Sequence, residues 1–441
     1  MDNSNKSVKV AQMSDLHYSA GNIDEADRCF TAAVTGAIEN GVHCALITGD
    51  STDHAMDAHS PAIVALAKQL QRLADHCPVL MLQGTFSHEP PGLLKMLSLI
   101  GAKHPIAIAE QIGSYGLADD RFELIEPNTT YRLVVSAVPT LNKADIAALA
   151  SDSVGSAAVE AGRIIAEVLS ALAPMNRMLR QQGIPTMVIS HGTVLNCLTE
   201  HGVPMAGSDH EFGVGGLFSA LADAVALGHI HKHQVWTSEA HDTKQLIAYA
   251  GSIGRFHHGE IDEKVWMEWI MDAGNPSFVA HPTPARKTVD LFFTGPPDLE
   301  KIRSAAADCT GAWVRVRYEV DEEHRQGVDR TAIKAILGNA AGVQIEGKTL
   351  IVERVRAQGI STAPSLSEKL GKWCEVTATP FGSVSERLAS LQNGDHESIV
   401  AEIVARLQPG VMPSAKKPAI PLASPPKMIE VEPSESQFSL V

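Results

Sequence analysis

An apolar run that ends in a glycine and two histidines is the most restrictive feature of this 441-residue sequence. Residues 224–227 read Ala-Val-Ala-Leu, and Gly228, His229, Ile230 and His231 follow. A short apolar run predicts a buried strand, and a glycine suits a point where the backbone approaches another segment closely. Two histidines beyond a strand end are either ordinary loop residues or metal ligands, and partners at other strand ends would favour ligands.

Four other apolar segments also end in residues that can bind a metal ion. In chain order, the motifs are Asp15-x-His17 after residues 8–13, Gly49-Asp50 after residues 42–48, Ser87-His88-Glu89 after residues 79–82 and Ser190-His191 after residues 185–189. Helical spacing between the first strands predicts a sheet with helices on both faces, whose strand ends gather at one edge. Carboxylates and imidazoles bind manganese, iron or zinc, and two such ions promote phosphoryl displacement.

The second half of the chain predicts several further units. Strands at 234–237, 246–250, 265–270 and 277–280 predict a second, antiparallel sheet, and His-Pro-Thr-Pro at 281–284 predicts a linker. The domains expected are residues 1–284, an α+β accessory domain at 285–358 with a final hairpin around Gly347, a helical segment at 359–408 with helices over 365–375 and 384–407, and a disordered proline-rich tail at 409–441.

Composition limits the cellular setting and the partners. The net charge of −15 argues against a broad basic surface for nucleic acid. The six cysteines are scattered, which favours a reducing cytoplasm. Neither a membrane-spanning run nor a signal peptide is predicted, so we expect a cytoplasmic protein without a membrane partner.

The five strand-end motifs resemble those of the calcineurin-like metallophosphoesterase superfamily, whose pattern is D-x-H, G-D, G-N-H-D/E, H and G-H-x-H. The resemblance implies an α/β fold, an αββα sandwich of two sheets, and two divalent ions, with Mn²⁺ first and Fe²⁺, Zn²⁺ or Mg²⁺ as alternatives. It implies that one ion is bound by Asp15, His17 and His231 and the other by His191 and His229, that Asp50 bridges them, and that His88 lies near the scissile phosphate.

The third motif departs from the family pattern. This chain has Gly84-Thr85-Phe86-Ser87-His88, without the asparagine that completes the second ion's ligands in the family. Ser87 is the predicted replacement ligand, with Thr85 as the alternative. Arg255 and His257 are candidate substrate contacts because they could bind a phosphate, although a polar loop explains them equally well.

Further segments are similar to the SbcD-type nuclease subunit of the bacterial DNA double-strand-break repair complex SbcCD. They include Gly-Val-Gly-Gly at 213–216, Tyr-Ala-Gly-Ser at 249–252 and Gly259-Glu260. The resemblance implies a manganese-dependent DNA exonuclease or endonuclease, with a capping domain and C-terminal helices that bind an SbcC-type ABC ATPase.

Two other functions stay open on the sequence. One is a phosphodiesterase or phosphatase for small phosphoesters on the same scaffold, which the acidic net charge favours, and the other is a non-catalytic scaffold. Two further expectations concern partners: a homodimer, and a sliding clamp that binds the C-terminal residues Gln437 to Val441.

Overall fold

The computed structural model describes residues 7–57, 59–141, 157–199, 211–240, 243–322, 324–350 and 359–407. The strands are β1 (Val8–Met13), β2 (Cys44–Ile47), β3 (Val79–Leu82), β4 (Ile106–Ala109), β5 (Gly113–Leu117), β6 (Phe122–Leu124), β7 (Val134–Val138), β8 (Thr186–His191), β9 (Thr193–Val194), β10 (Glu211–Phe212), β11 (Ala224–Gly228), β12 (Gln234–Ala240), β13 (Thr243–Tyr249), β14 (Val265–Met271), β15 (Ser277–Pro282), β16 (Thr288–Thr294), β17 (Trp313–Asp321) and β18 (Gly342–Leu350). The α-helices are α1 (Ile23–Glu39), α2 (Pro61–His76), α3 (Leu93–Ser98), α4 (Ala157–Gln181), α5 (Val214–Ser219), α6 (Leu299–Ala305), α7 (Arg330–Ile336), α8 (Leu366–Thr377), α9 (Phe381–Asn393) and α10 (His396–Leu407).

The first sheet has six strands in the order β15-β14-β1-β2-β3-β4. Strands β1 to β4 are parallel, so the segments that follow them lie at one edge. Strand β14 pairs antiparallel with β1, and β15 pairs antiparallel with β14. The prediction that residues 265–270 and 277–280 belong to the second sheet is therefore wrong, because apolar alternation identifies a strand but not its neighbour.

The second sheet has seven strands in the order β12-β13-β11-β8-β7-β5-β6. Its central strands β13, β11, β8 and β7 are parallel, and only the outer strands run antiparallel. The prediction of an antiparallel second sheet is thus wrong for its centre. The parallel centre brings the ends of β8 and β11 together, with His191 paired to Gly228.

The two sheets stack face to face, and the helices of the described ranges lie on their outer faces. Side chains of alternating positions in β1, such as Val8 and Val10, join the core between the sheets, whereas Ala11 and Met13 pack against α1 and α2. Helices α4 and α5 cover the second sheet. The implied αββα sandwich is confirmed, and the expectation of helices on both faces of the first sheet is wrong, because the second sheet occupies the inner face.

The accessory unit after the linker has β-α-β-α-β order. Strands β16, β17 and β18 form a parallel sheet, and α6 and α7 cover one face through a small core that includes Ile302, Val314 and Ile333. Strand β18 continues without a break through Gly347. The predicted hairpin turn at Gly347 is therefore wrong.

The chain divides into two compact units, Met1–Ile351 and Val352–Val441. In the second unit, the described part consists of α8, α9 and α10, and the single helix predicted over 384–407 is wrong because α9 ends before Gly394 and α10 begins at His396. The predicted tail at 409–441 lies outside the described residues. Across the described ranges, no helix is both long and apolar enough to cross a membrane.

Asp223 connects strand β8, helix α4 and the turn between β14 and β15 of the first sheet, and its loss should destabilise the sandwich. Its buried carboxylate accepts hydrogen bonds from Thr186 N at 2.7 Å, Arg180 Nε at 2.7 Å and Gly274 N at 2.9 Å. We expect Asp223→Ala to lower the free energy of unfolding by about 3–5 kcal/mol, because a buried cation and two amides lose their partner. Urea denaturation measures this, with the exposed Asp119→Ala as control, and equal unfolding of both variants would contradict it.

Candidate metal centre

Both sheets contribute side chains to one cluster at their carboxyl ends. Within the described ranges, four groups of three side chains place possible ligand atoms within 4.8 Å of one another, and two of them account for the predicted ligands: Asp15 with His17 and His231, and Asp50 with His191 and His229. Each of these two groups combines residues that follow the first sheet with residues that follow the second. The cluster therefore forms only when the two sheets stack.

The first group turns two imidazole nitrogens toward each other. Nε2 of His17 lies 2.9 Å from Nε2 of His231, and the other ring nitrogen of His231 faces Glu260 Oε1 at 3.3 Å. Asp15 is fully buried, and both of its carboxylate oxygens accept a hydrogen bond from the His229 backbone, at 3.0 and 3.1 Å. A cation shared by these nitrogens and the carboxylate fits this arrangement.

The second group is centred on a buried carboxylate. Asp50 Oδ2 lies 3.2 Å from His191 Nε2. Burial alone would raise the pKa of the Asp50 carboxyl, but the charge of His191 and the hydrogen bonds from His191 and His88 hold that pKa well below its usual range. Burial lowers the pKa of His229 to about 4, so its ring is neutral and can act as a ligand.

His88 lies beside the second group and is less buried than His17, His191 and His231. Its Nδ1 is 2.7 Å from Asp50 Oδ2, and its side chain keeps 32% of its exposure. The hydrogen bond to Asp50 raises the pKa of His88 above its ordinary value. A partly exposed imidazole next to the cluster is placed to contact a substrate.

A buried hydrogen bond fixes the orientation of His191. Its Nδ1 donates to the Thr48 carbonyl oxygen at 2.8 Å, so Nε2 faces Asp50, where its lone pair could bind a cation. Beneath it, Gln12 donates to the Leu227 carbonyl at 3.0 Å and accepts from Trp269 Nε1 at 2.9 Å. The bonds of His191 to Thr48 and of Gln12 to Leu227 connect the two sheets, whereas the bond from Trp269 lies within the first sheet.

Four residues of the cluster have left-handed backbone conformations. Their φ angles are 51° at Asp15, 46° at His17, 53° at Asp50 and 99° at His229. Such angles are uncommon for residues other than glycine and tend to occur at functional sites. The strand-end loops thus turn sharply in order to direct these side chains to one point.

Two glycines permit close backbone contact at the cluster. A Cβ atom at Gly228 would collide with the Thr48 carbonyl and lie 2.8 Å from His191 Nδ1, and one at Gly49 would collide with the same ring. The sequence-based inference that Gly228 marks a close approach agrees with this packing.

The structure favours Thr85 over Ser87 at the position of the missing asparagine. Thr85 Oγ1 lies 3.4 Å from both Asp50 Oδ2 and His191 Nε2, and its backbone N–H donates to Asp50 Oδ1 at 2.7 Å. Ser87 is exposed, within the turn at residues 86–88. The alternative left open in the sequence therefore fits the cluster better than the first choice.

The two predicted substrate contacts differ in position. The Arg255 guanidinium donates to the carbonyl oxygens of Ile261, Asp262 and Arg286, at 2.8–3.2 Å, so the structure gives it a packing role instead of a phosphate contact. His257 is exposed, and its ring stacks on that of His231 at 6.0 Å between centroids. Only His257 lies where it could meet a substrate.

Two buried glutamates at the cluster were given no role by the sequence reasoning. Glu89 accepts from Ser51 N and Gly84 N, both at 2.6 Å, and so joins two strand-end loops. Glu260 faces His231. Both residues belong to motifs that the sequence analysis identified, Glu89 to the third strand-end motif and Glu260 to Gly259-Glu260. A sequence motif does not show which of its side chains point into the cluster.

The donor set suits two divalent ions. Carboxylate and imidazole side chains of seven residues meet here, namely Asp15, His17, Asp50, His88, His191, His229 and His231. Asp15, His17, Asp50 and His191 are less than 5% exposed. These ligand types suit manganese, iron or zinc. One ion would be bound by Asp15, His17 and His231, and the other by Asp50, His191 and His229. The opposed Nε2 atoms of His17 and His231 are the observation that supports this assignment.

No model of a protein family matches the sequence, and no curated protein matches it. Among solved structures, the chain is similar to a dimetal phosphatase from Danio rerio, with a TM-score of 0.38 and 12% identity over 62% of this chain and 98% of that one. It is also similar to a protein assigned as a 5′-nucleotidase from Staphylococcus aureus in complex with alpha-ketoglutarate, with a TM-score of 0.36 and 13% identity over 62% of this chain and 54% of that one. The chain thus spans about half the length of the second protein, and similarity at this level assigns no reaction.

The position of Thr85 predicts unequal effects of two hydroxyl deletions. We expect Thr85→Val to weaken the binding of one of the two metal ions by about tenfold, because the hydroxyl lies against Asp50 and His191. Ser87→Ala should leave both affinities unchanged. Calorimetric titration with Mn²⁺ measures this, and the opposite order of effects would restore Ser87 as the ligand.

Proposed function

We propose that this chain is a binuclear-metal phosphoesterase that acts on small phosphoesters. The observation that carries the proposal is the pair of ligand groups, each built from strand ends of both sheets, with His88 beside them. Bound divalent ions would supply charge that activates water and stabilises the transition state of phosphoryl transfer. This motif set and its αββα sandwich support membership of the calcineurin-like metallophosphoesterase superfamily.

The side chains of the cluster divide the remaining tasks. Asp50 and Asp15 place carboxyl oxygens in a buried setting, and the neutral ring of His229 offers a nitrogen ligand. His88, whose Nδ1 is held by Asp50, presents a partly exposed ring that can donate a proton to the leaving oxygen. His257 lies at the exposed side of His231, where a phosphoester substituent would pass.

The charges around His231 favour a small substrate. Lys232 pairs with Asp262 at 2.7 Å, Lys264 pairs with Glu260, and Arg255 is bonded to backbone carbonyls. These cations are already bound to groups of the protein itself. With a net charge of −15, the chain relies on the metal ions to attract phosphate, which is sufficient for a small phosphoester but weak for a long polyanion.

A DNA nuclease is the second candidate function. The segments at 213–216, 249–252 and 259–260 support it, because they are similar to the SbcD-type subunit, and so does the accessory unit that follows the linker. In that case the chain would process DNA ends together with an SbcC-type ABC ATPase. Dimerisation and the clamp-binding role of residues 437–441 remain proposals, and the latter residues lie outside the described ranges.

The substrate class is tested by comparing two substrates. We expect Mn²⁺-loaded protein to hydrolyse a small phosphodiester such as bis-p-nitrophenyl phosphate or a cyclic nucleotide, and to release few nucleotides from a labelled linear duplex. Asp50→Asn should lower the rate by about a thousandfold, since each ~1.4 kcal/mol of lost transition-state stabilisation costs a factor of ten. The exposed Asp120→Asn serves as control. Efficient release of nucleotides would replace the proposal with the nuclease, and inertness toward both substrates would refute both.

The helical unit predicts the behaviour of the second candidate. Its large apolar side chains include several that are substantially exposed, namely Leu366, Trp373, Val376, Phe381, Leu391, Val400, Ile403 and Val404. If an ATPase partner binds there, the double variant Val400→Glu/Ile403→Glu should abolish its co-purification, because charge would enter an apolar interface. Leu124→Glu, at a leucine exposed in the first unit, should have no effect. Unchanged association in both variants would remove the docking role.

A further inference from the structure

We infer that Glu260 is a positioning residue that fixes the ring of His231 for metal binding, an inference that rests on the proposed two-metal site. Glu260 is 1% exposed and lies 3.3 Å from His231 Nδ1 through Oε1. The second nitrogen of the ring, Nε2, is the one that meets Nε2 of His17. A carboxylate behind a ligating imidazole fixes which nitrogen carries the proton and makes the other a better ligand.

The carboxylate of Glu260 is itself held by several donors. Its Oε1 accepts from Phe256 N at 3.2 Å and His257 N at 3.0 Å, and its Oε2 accepts from Ser252 Oγ at 2.9 Å. With each oxygen bonded to the protein, the carboxylate cannot rotate away from His231. Its distance from the ring is therefore set by the fold and not by the side chain's own rotamer preference.

A buried lysine forms an ion pair with Glu260 and connects it to the same loop. Lys264 is 3% exposed and forms an ion pair with Glu260. Its Nζ also donates to the His231 carbonyl oxygen at 2.9 Å and to Ser252 Oγ at 2.8 Å. The lysine thus contacts the backbone of His231 while the glutamate contacts its ring, so both parts of the residue are fixed from one side.

The accessory unit supports the same segment. Thr288, the first residue of β16, donates through Oγ1 to the Glu260 carbonyl oxygen at 3.0 Å. His258, two residues before Glu260 in the chain, packs its ring against that of Trp313 in β17, with 3.6 Å between the ring centroids. Glu260 is therefore held by the loop of the metal centre through its side chain and by the accessory sheet through its backbone.

The test counts bound Mn²⁺ by the electron paramagnetic resonance signal of the free ion, which needs no substrate. We expect wild-type protein to bind two ions and Glu260→Gln to bind one of them ten- to a hundredfold more weakly, with the other unchanged. A role confined to folding would weaken both ions equally. Ser252→Ala, which removes one donor to Glu260, should weaken the same ion by a smaller factor, and it carries the test if Glu260→Gln does not fold.

Glu268→Gln is a matched control because Glu268 has the same kind of partners away from the cluster. Its carboxylate faces Lys9 Nζ at 3.0 Å and His281 Nε2 at 2.9 Å, so its substitution should leave both Mn²⁺ affinities at the wild-type value. Unchanged binding in both Glu260→Gln and Ser252→Ala, or equal loss in Glu268→Gln, would overturn the inference. A wild-type protein that binds two ions and hydrolyses no phosphoester would refute the proposed function and leave this inference intact.

Discussion

The hydrogen bond from His191 to the Thr48 carbonyl joins the two sheets at the point where the cluster forms. It runs from the end of β8 to the residue after β2, at 2.8 Å, in a fully buried setting. Gln12 adds a second connection between the sheets. Because each ligand group takes residues from both sheets, the angle and distance between the sheets decide whether the groups close around an ion. The metal centre is thus a property of the sandwich and not of any one loop.

The sequence predicted the members of this cluster better than their surroundings. Residues such as Asp15, Asp50 and His191 follow short apolar strands, and parallel strands place such positions together whatever the loop conformation. The sheet membership of residues 265–282 was not predictable in this way, since β14 pairs with β1 across more than half of the chain. The positions of Ser87 and Arg255 could not be predicted for a different reason. Ser87 lies in a turn that exposes its side chain, and the Arg255 guanidinium is bonded to nearby carbonyl oxygens. A sequence pattern shows neither the direction of a side chain nor its hydrogen-bond partners.

The charges around the cluster distinguish a small phosphoester from DNA as the expected substrate better than the fold does. Buried carboxylates at the cluster stabilise a bound cation, and a divalent ion carries twice the positive charge of an imidazolium. The nearby lysines and arginines are engaged with Asp262, Glu260 and backbone oxygens. A surface of this kind concentrates attraction at a single point, which suits a ligand with one phosphate.

The left-handed backbone conformations at the cluster direct side chains to one point but lower the stability of the fold. Position 229 has a φ of 99°, which glycine adopts freely and histidine does not, at a cost of about 1–3 kcal/mol for a strained residue of this kind. Glycine at position 229 would therefore relieve this strain, whereas histidine places an imidazole beside Asp50 and His191. Stability and the assembly of this cluster therefore place opposite demands on a single residue.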